Sequence, residues 1–173
     1  TGIVFLNNSV RDRMITTTIN QFNFTGEKLN IFSEIHSAIY LSAFKIFQNN
    51  ILFGIGPKMY RETCFDKLYF VPNGCQTHPH NTYLQLLSET GLIGAIPIII
   101  LFLFISYLFI ISLYKKIINK DFLSDYQICL FVAVYITLWP FIPTGNFFNN
   151  FLNVIYFLPV GFILHQFNDK IKF

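Results

Sequence analysis

The sequence has 173 residues, of which 53% are hydrophobic and 18% aromatic, while only 12% are charged. Its mean hydropathy of +0.50 is well above that of an ordinary soluble domain, so the composition indicates a membrane protein. A net charge of +3 without any run of lysines or arginines argues against a nucleic-acid-binding function.

The N-terminal residues form a short apolar stub, residues 2–6, which follows Thr1 and lacks a basic flank. This pattern does not fit a signal peptide. We interpret the stub as the end of a transmembrane helix whose beginning is missing, and the sequence is therefore expected to be a C-terminal fragment.

Residues 7–90 are predicted to form a large loop on the periplasmic side of the membrane. The loop is mildly cationic, which suits an anionic ligand. It should contain one amphipathic helix, because six residues at positions i, i+3, i+4, i+7, i+8 and i+11 would form one apolar helix face. They are His36, Ile39, Tyr40, Ala43, Phe44 and Phe47. We expect this helix to lie on the membrane surface or against the bundle, and to end before a turn at residues 54–57, Gly-Ile-Gly-Pro.

Two cysteines of this loop, Cys64 and Cys75, allow two interpretations. An oxidising compartment favours a disulfide between them. The alternative is a metal site that combines both cysteines with His78 and His80, although the spacing matches no zinc pattern.

A pair of histidines, His78 and His80, flanks a proline just before a predicted helix that runs towards the membrane. One interpretation is a capped helix start, with Asn81 or Thr82 as the N-cap and the histidines merely polar. The other is catalytic, because an imidazole that is partly neutral at pH 7 can accept a proton from a hydroxyl group.

The C-terminal half is predicted to contain three transmembrane helices. Residues 92–114 are free of charge and would form about 35 Å of helix, enough to span a bilayer. Two shorter apolar stretches follow at residues 126–142 and 147–164, each containing a proline. By the positive-inside rule, the lysines at 115–120 and 170–172 belong in the cytoplasm, which places the long loop outside.

The predicted fold is therefore an all-α, polytopic membrane helix bundle, of which this sequence is a fragment with a large periplasmic loop. Its expected divisions are the end of a truncated transmembrane helix at residues 1–6, a catalytic loop at 7–90 and three transmembrane helices at 91–173.

Two stretches of the loop resemble the signature of the O-antigen ligase and polymerase superfamily. These are G-I-G-P-K-M-Y-R at residues 54–61 and T-H-P-H-N-T-Y-L-Q-L-L-S-E-T-G-L-I-G at residues 77–94. In that family a histidine followed by Asn, Ser or Gln precedes, after nine residues, a G-x-x-T. Here the same spacing separates His80-Asn81 from Gly91, but Gly94 stands where the family has threonine.

The resemblance implies a glycosyltransferase of the bacterial inner membrane that transfers an undecaprenyl-diphosphate-linked glycan. In the ligase version the acceptor glycolipid is the lipid A core, whereas in the polymerase version it is a second lipid-linked repeat. No cofactor or metal is expected, because no Asp-x-Asp pair is present to hold a divalent ion.

The resemblance and the chemistry of the loop together predict the site residues. Catalytic roles fall to His80, Arg13 and Arg61, since a guanidinium group can hold phosphate oxygens with two hydrogen bonds. Binding of substrate is assigned to six other positions: His36, Lys58, His78, Asn81, Gln85 and Gly91.

Two other classes of function stay open on the sequence alone. A non-catalytic transporter or scaffold fragment would also contain prolines in its spans, although a transporter would be expected to carry charges there. A periplasmic metal-dependent hydrolase would use the cluster of cysteines and histidines.

Overall fold

The computed structural model describes residues 8–12, 15 and 32–170. The predicted stub at residues 2–6 and Arg13 lie outside the described residues. Regular structure in the described ranges is helical, without strands, which confirms the all-α class for this part of the chain. In chain order the helices are α1 (Asn8–Arg11), α2 (Glu34–Asn49), α3 (Tyr60–Thr63), α4 (Thr82–Ile117), α5 (Asp125–Thr137) and α6 (Asn150–Lys170).

The amphipathic helix predicted in the loop is α2, which begins after the N-cap Ser33 and packs against α4. Its buried face is rotated from the predicted one: Phe44 is 45% exposed, whereas Ser42 is fully buried. The serine can be buried because its hydroxyl donates a hydrogen bond to the Tyr69 carbonyl at 3.0 Å. The apolar residues buried around this face form one core cluster with members of α3: Ile39, Ala43, Ile46, Tyr60 and Cys64.

A disulfide joins Cys64 to Cys75, whose Cα atoms are 5.5 Å apart. It closes the segment between α3 and the histidine pair. Both cysteines are therefore unavailable as metal ligands. Among the described residues, no group of three or more His, Cys, Asp or Glu side chains could hold a metal ion.

We expect replacement of Cys64 and Cys75 by serine to lower the free energy of unfolding by roughly 2–3 kcal/mol, because the reduced chain regains the entropy of a short open loop. Thermal melting of purified protein with and without the substitutions measures the effect. Replacement of the free, exposed Cys129 by alanine is the matched control and should leave the melting curve unchanged. Recovery of two free thiols in peptide mapping under non-reducing conditions would contradict the pairing.

Helix α4 contains the predicted span of residues 92–114, and in the described part of the chain it is the helix that is long and apolar enough to cross a membrane. Its backbone is interrupted at Gly91, with φ 63° and ψ −162°. This region of backbone conformation is open essentially to glycine alone. The interruption divides α4 into a first arm, residues 82–90, and a second arm, residues 92–117.

Residues 51–56, here called the bridging loop, close the interruption with backbone hydrogen bonds. The Leu92 N–H donates to the Ile51 carbonyl at 2.8 Å, and the following N–H donates to the Leu52 carbonyl at 3.3 Å. On the other side of the break, Ile55 N–H donates to Ser88 and Gly56 N–H to Glu89, at 3.1 and 2.8 Å. The loop thus supplies partners for helical groups that the break leaves unpaired.

The two arms fold back on each other at Gly91. On a continuous helix Tyr83 and Phe102 would lie about 28 Å apart along the axis. Their ring centroids are instead 6.3 Å apart. The start of the first arm therefore lies beside the middle of the second, and the chain does not enter the membrane straight from the histidine pair as the sequence predicted.

Close approach of the arms explains Gly94, the position where the family pattern has threonine. A Cβ atom at Gly94 would overlap the side chain of Thr90. The Thr90 hydroxyl occupies this space and donates to the Leu86 carbonyl at 2.8 Å. The threonine of the first arm thus requires glycine in the second.

Helices α5 and α6 differ in length from the two shorter predicted spans. The 13-residue α5 ends at Thr137 rather than at residue 142, because the residue before Pro140 is disfavoured in a helix. At about 20 Å it is shorter than the hydrocarbon core. Helix α6 begins at Asn150, three residues later than predicted, after Asn149 caps the N–H groups of its first turn.

Packing among the second arm, α5 and α6 creates a second core cluster. Its buried members, one from α4 and the others from α5 and its C-cap, are Ile105, Phe131, Val134 and Leu138. The non-helical turn from residue 139 to 149 leads from α5 to α6 and faces the start of the first arm. This turn supplies several contacts of the candidate site.

Candidate active site

Three histidines from two segments meet where the first arm begins. The ring centroids of His78 and His80 are 4.1 Å apart, and those of His36 and His80 are 6.1 Å apart. His80 is therefore close to both of the other rings. His36 lies in the first turn of α2, more than 40 residues before the other two histidines. The sequence therefore did not predict its proximity to His80.

The backbone around His80 is held in an uncommon conformation. His80 has a φ of 55°, in the left-handed region that few residues other than glycine, Asn or Asp adopt. Its carbonyl accepts a hydrogen bond from the Thr144 N–H at 2.9 Å. The turn after α5 thus helps to fix the loop in the conformation that brings His80 close to the other two histidines.

The His78 ring is held by its own chain on both sides. Its Nε2 lies 3.3 Å from the Thr144 carbonyl, and its Nδ1 lies 3.0 Å from the Thr77 hydroxyl. A carbonyl can only accept, so Nε2 carries the proton and Nδ1 accepts from threonine. Burial lowers the pKa of His78, and the bond to Thr144 and the charge of Glu89 oppose this shift.

The His80 ring has no hydrogen bond to the described part of the chain. Its pKa is lowered from the ordinary 6.5 by burial first, and then by the proximity of His78 and His36. These causes favour the uncharged form of the ring. A neutral imidazole with an unengaged nitrogen can accept a proton, which is the property that a general base needs.

His36 is positioned by Ser33, the N-cap of α2. The serine hydroxyl lies 2.7 Å from His36 Nδ1 and accepts from the His36 N–H at 3.4 Å. Because these contacts engage Nδ1, the Nε2 side of the ring remains for a substrate or for His80.

Asn81 is the N-cap of α4, as one of the two sequence interpretations had it. Its side-chain oxygen accepts from the N–H groups of Tyr83 and Leu84, both at 3.1 Å. Its amide donates to the Pro140 carbonyl at 2.7 Å. The cap therefore occupies these two N–H groups, which are not available to a diphosphate.

Gln85 is completely buried and ties the first arm to the turn after α5. Its Nε2 donates to Glu89 at 3.0 Å and to Asn146 at 2.9 Å, while its Oε1 accepts from the Phe147 N–H at 2.9 Å. We assign it a positioning role, because every polar atom of the side chain has a partner within the protein.

Sequence reasoning missed Glu89, which is 1% exposed. Its carboxylate accepts from the backbone N–H of Tyr60 at 3.0 Å and from Gln85 at 3.0 Å. Burial raises the pKa of Tyr60 to about 12, so its hydroxyl stays protonated, near the carbonyls of Gly74 and Ile39. A lone acid within the apolar run that follows the histidines was the available signal.

We expect Glu89→Ala to lower the free energy of unfolding by about 1–3 kcal/mol, because two buried donors would lose their acceptor. Glu62→Ala is the control: this carboxylate is 65% exposed and, among the described residues, pairs with the adjacent Arg61, so its loss should cost less than about 1 kcal/mol. Equal melting temperatures for the two variants would show that the Glu89 contacts do not stabilise the fold.

Two predicted cationic residues lie on the surface of the loop. Arg61, in α3, is 64% exposed and its Nε lies 3.1 Å from Glu62 Oε1. Lys58 is exposed and has a φ of 64°. Within the described part of the chain neither is held in place by a buried contact, so both side chains can reorient towards a ligand. Gly91, also predicted to bind substrate, is buried against the backbone of Leu52 and Phe53.

The chain was compared with known proteins. The sequence model of a family described as O-antigen ligase matches residues 3–99. Comparison with curated proteins and with solved structures finds no significant match. The matched range contains all three histidines, the bridging loop and the first arm of α4.

Proposed function

This chain belongs to the O-antigen ligase family, and from that premise we propose that it carries the catalytic loop of a membrane glycosyltransferase. The enzyme would transfer an undecaprenyl-diphosphate-linked glycan to a sugar hydroxyl of the lipid A core. The observation that carries the proposal is the His80 ring, which is close to two further histidine rings and has no hydrogen bond to the described residues.

In the proposed reaction His80 is the general base. The acceptor hydroxyl oxygen attacks the anomeric carbon of the donor sugar while His80 takes the hydroxyl proton. A carbon–oxygen bond forms to the acceptor, and the bond from the anomeric carbon to the diphosphate oxygen breaks. Undecaprenyl diphosphate leaves with the bonding electrons, and attack from the opposite face inverts the anomeric configuration.

Cationic side chains would hold the donor diphosphate without a metal ion. Arg13 and Arg61 are the proposed guanidinium groups, with Lys58 and His36 as further contacts. The surface pair of Arg61 with Glu62 is exposed and therefore weak, so a diphosphate can compete for the guanidinium group.

We expect Arg13→Lys and Arg61→Lys each to raise the KM for the lipid-linked donor by roughly tenfold, because a point charge cannot reproduce two parallel hydrogen bonds to phosphate. Steady-state transfer kinetics in membranes measure the change. Arg11→Lys is the control, since we propose no contact between Arg11 and the donor. An unchanged KM for the donor in both variants would mean that other residues bind the diphosphate.

The proposed location is the bacterial inner membrane, with residues 7–90 on its periplasmic side. The lysines at 115–120 and 170–172 support this orientation by the positive-inside rule. We propose three spans within residues 91–173, although α5 is short, so the neighbouring turn must complete its crossing.

Reconstitution of the full-length protein with purified lipid-linked glycan tests the function. A product attached to lipid A core supports the ligase, whereas longer lipid-linked chains formed without that acceptor identify a polymerase. Activity that persists in a chelator supports the metal-free mechanism, and activity lost with metal removal and restored by zinc would favour a metal enzyme. Absence of transfer to either acceptor would contradict both activities.

A further inference from the structure

The second arm of α4 provides a depth scale for the membrane. Apolar side chains are exposed along its whole length, including Ile93 at 56%, Leu103 at 58% and Leu113 at 67%. Such surfaces are stable in lipid. From Ile93 to Tyr114 the arm extends about 32 Å, close to the thickness of the hydrocarbon core. With Lys115 at the cytoplasmic boundary, Ile93 marks the outer boundary.

The histidine site lies well below this outer boundary. Tyr83, three residues after His80, has its ring beside that of Phe102 and donates a hydrogen bond to the Leu138 carbonyl at 2.7 Å. Phe102 is nine positions along the arm from Ile93, which corresponds to about 13 Å. Helix α5 starts on the cytoplasmic side and is about 20 Å long, so its C-terminal end reaches the same depth.

Non-helical backbone occupies this level. The turn at residues 139–149 runs beside the histidine loop, and two of its N–H groups are used by the carbonyl of His80 and the side chain of Gln85. Irregular backbone at membrane depth is stable only where protein covers it or where it lines a water-filled cavity. The histidine rings are only partly buried, so their open side requires water or a polar ligand.

We propose that the reversal at Gly91 forms a re-entrant hairpin, which lowers the histidine site roughly 10 Å beneath the outer membrane boundary into a water-filled recess. The bridging loop holds the hairpin closed from above. This inference rests on the proposed function for the placement in the membrane. It adds that the diphosphate and first sugar of the donor are drawn below the headgroup plane.

Spin labels on single cysteines at Ile93, Leu103 and Leu113 test the depth, in full-length protein reconstituted in liposomes with Cys129 replaced by alanine. Relative accessibility to oxygen and to a water-soluble nickel complex reports the depth of each label. We expect the Leu103 label to lie about 10 Å or more deeper than the Ile93 label, which should lie at the outer boundary. A Leu103 label at that boundary, with Ile93 in water, would overturn the recess.

Thiol labelling tests access to the site. A cysteine at Thr77, adjacent to His78, should react with a small methanethiosulfonate but at least tenfold more slowly with a maleimide attached to a 5-kDa polyethylene glycol, about the size of a small protein. A cysteine at the exposed Lys67 is the control and should react with both. Equal rates of the bulky reagent at both positions would place the site on the surface, and no reaction of Thr77 with either reagent would exclude water. Neither assay depends on transfer, so the recess can fail while the glycosyltransferase function stands.

Discussion

Replacement of His80 by alanine is expected to lower the rate of glycan transfer by about 10²-fold or more, the usual loss when a general base is removed. His80 is close to two other histidine rings, and no described residue donates or accepts a hydrogen bond at its ring nitrogens. His78→Ala should lose much less activity, because both nitrogens of that ring are bonded to Thr77 and Thr144. Transfer assays on membranes with equal amounts of inserted protein measure both. The reverse order would move the base to His78.

The pH dependence separates two roles for His80. Burial and the neighbouring histidines lower its pKa, so the neutral form dominates above a value that lies below 6.5. If the residue is a base, activity rises as the pH increases through that pKa and then stays level. Activity that falls with rising pH would instead indicate a protonated His80 that stabilises the leaving diphosphate.

A His36 variant tests whether His80 is the group that titrates in the pH profile. The proximity of His36 is one of the causes that lower the pKa of His80, after burial and His78. His36→Gln should therefore move the midpoint of the pH profile upwards while the profile keeps its rising shape. An unchanged midpoint would mean that another group titrates in the assay.

Replacement of Gly91 by alanine is expected to have the largest effect on the fold. The φ and ψ of Gly91 are essentially forbidden to other residues, at a cost of about 1–3 kcal/mol. An added Cβ would also overlap the backbone of Leu52 and Phe53. Because backbone cannot move aside as a side chain can, the hairpin must open. We expect the melting temperature to fall by roughly 5 °C or more, with loss of transfer.

Gly161→Ala is the matched control for this experiment. Gly161 lies in α6, and an added Cβ would have no heavy atom within 4 Å. Alanine also has the higher helix propensity, so stability should be unchanged or slightly greater. If the Gly91→Ala and Gly161→Ala variants had the same melting temperature, the hairpin would not depend on the glycine conformation.

Several features of this protein follow from the sequence by itself, because they depend on local patterns. The uncharged run at residues 92–114 determines the long apolar helix, since its length matches the thickness of a bilayer. Asn81 determines the start of α4, because its side chain reaches N–H groups two and three residues ahead. The spacing of apolar residues likewise predicts α2. Its buried face differs from the predicted one because it includes Ser42, whose hydroxyl donates to a carbonyl distant in the sequence.

Only the tertiary structure decided how the site is assembled. A glycine in the sequence is compatible with a helix or with a break. The bridging loop lies some 40 residues earlier in the chain and stabilises the chain reversal at Gly91, because it supplies the missing hydrogen-bond partners. The meeting of His36 with His80 and the burial of Glu89 depend on that reversal. Such contacts join segments far apart in the chain, and their energies come from packing and polar pairing that no local pattern encodes.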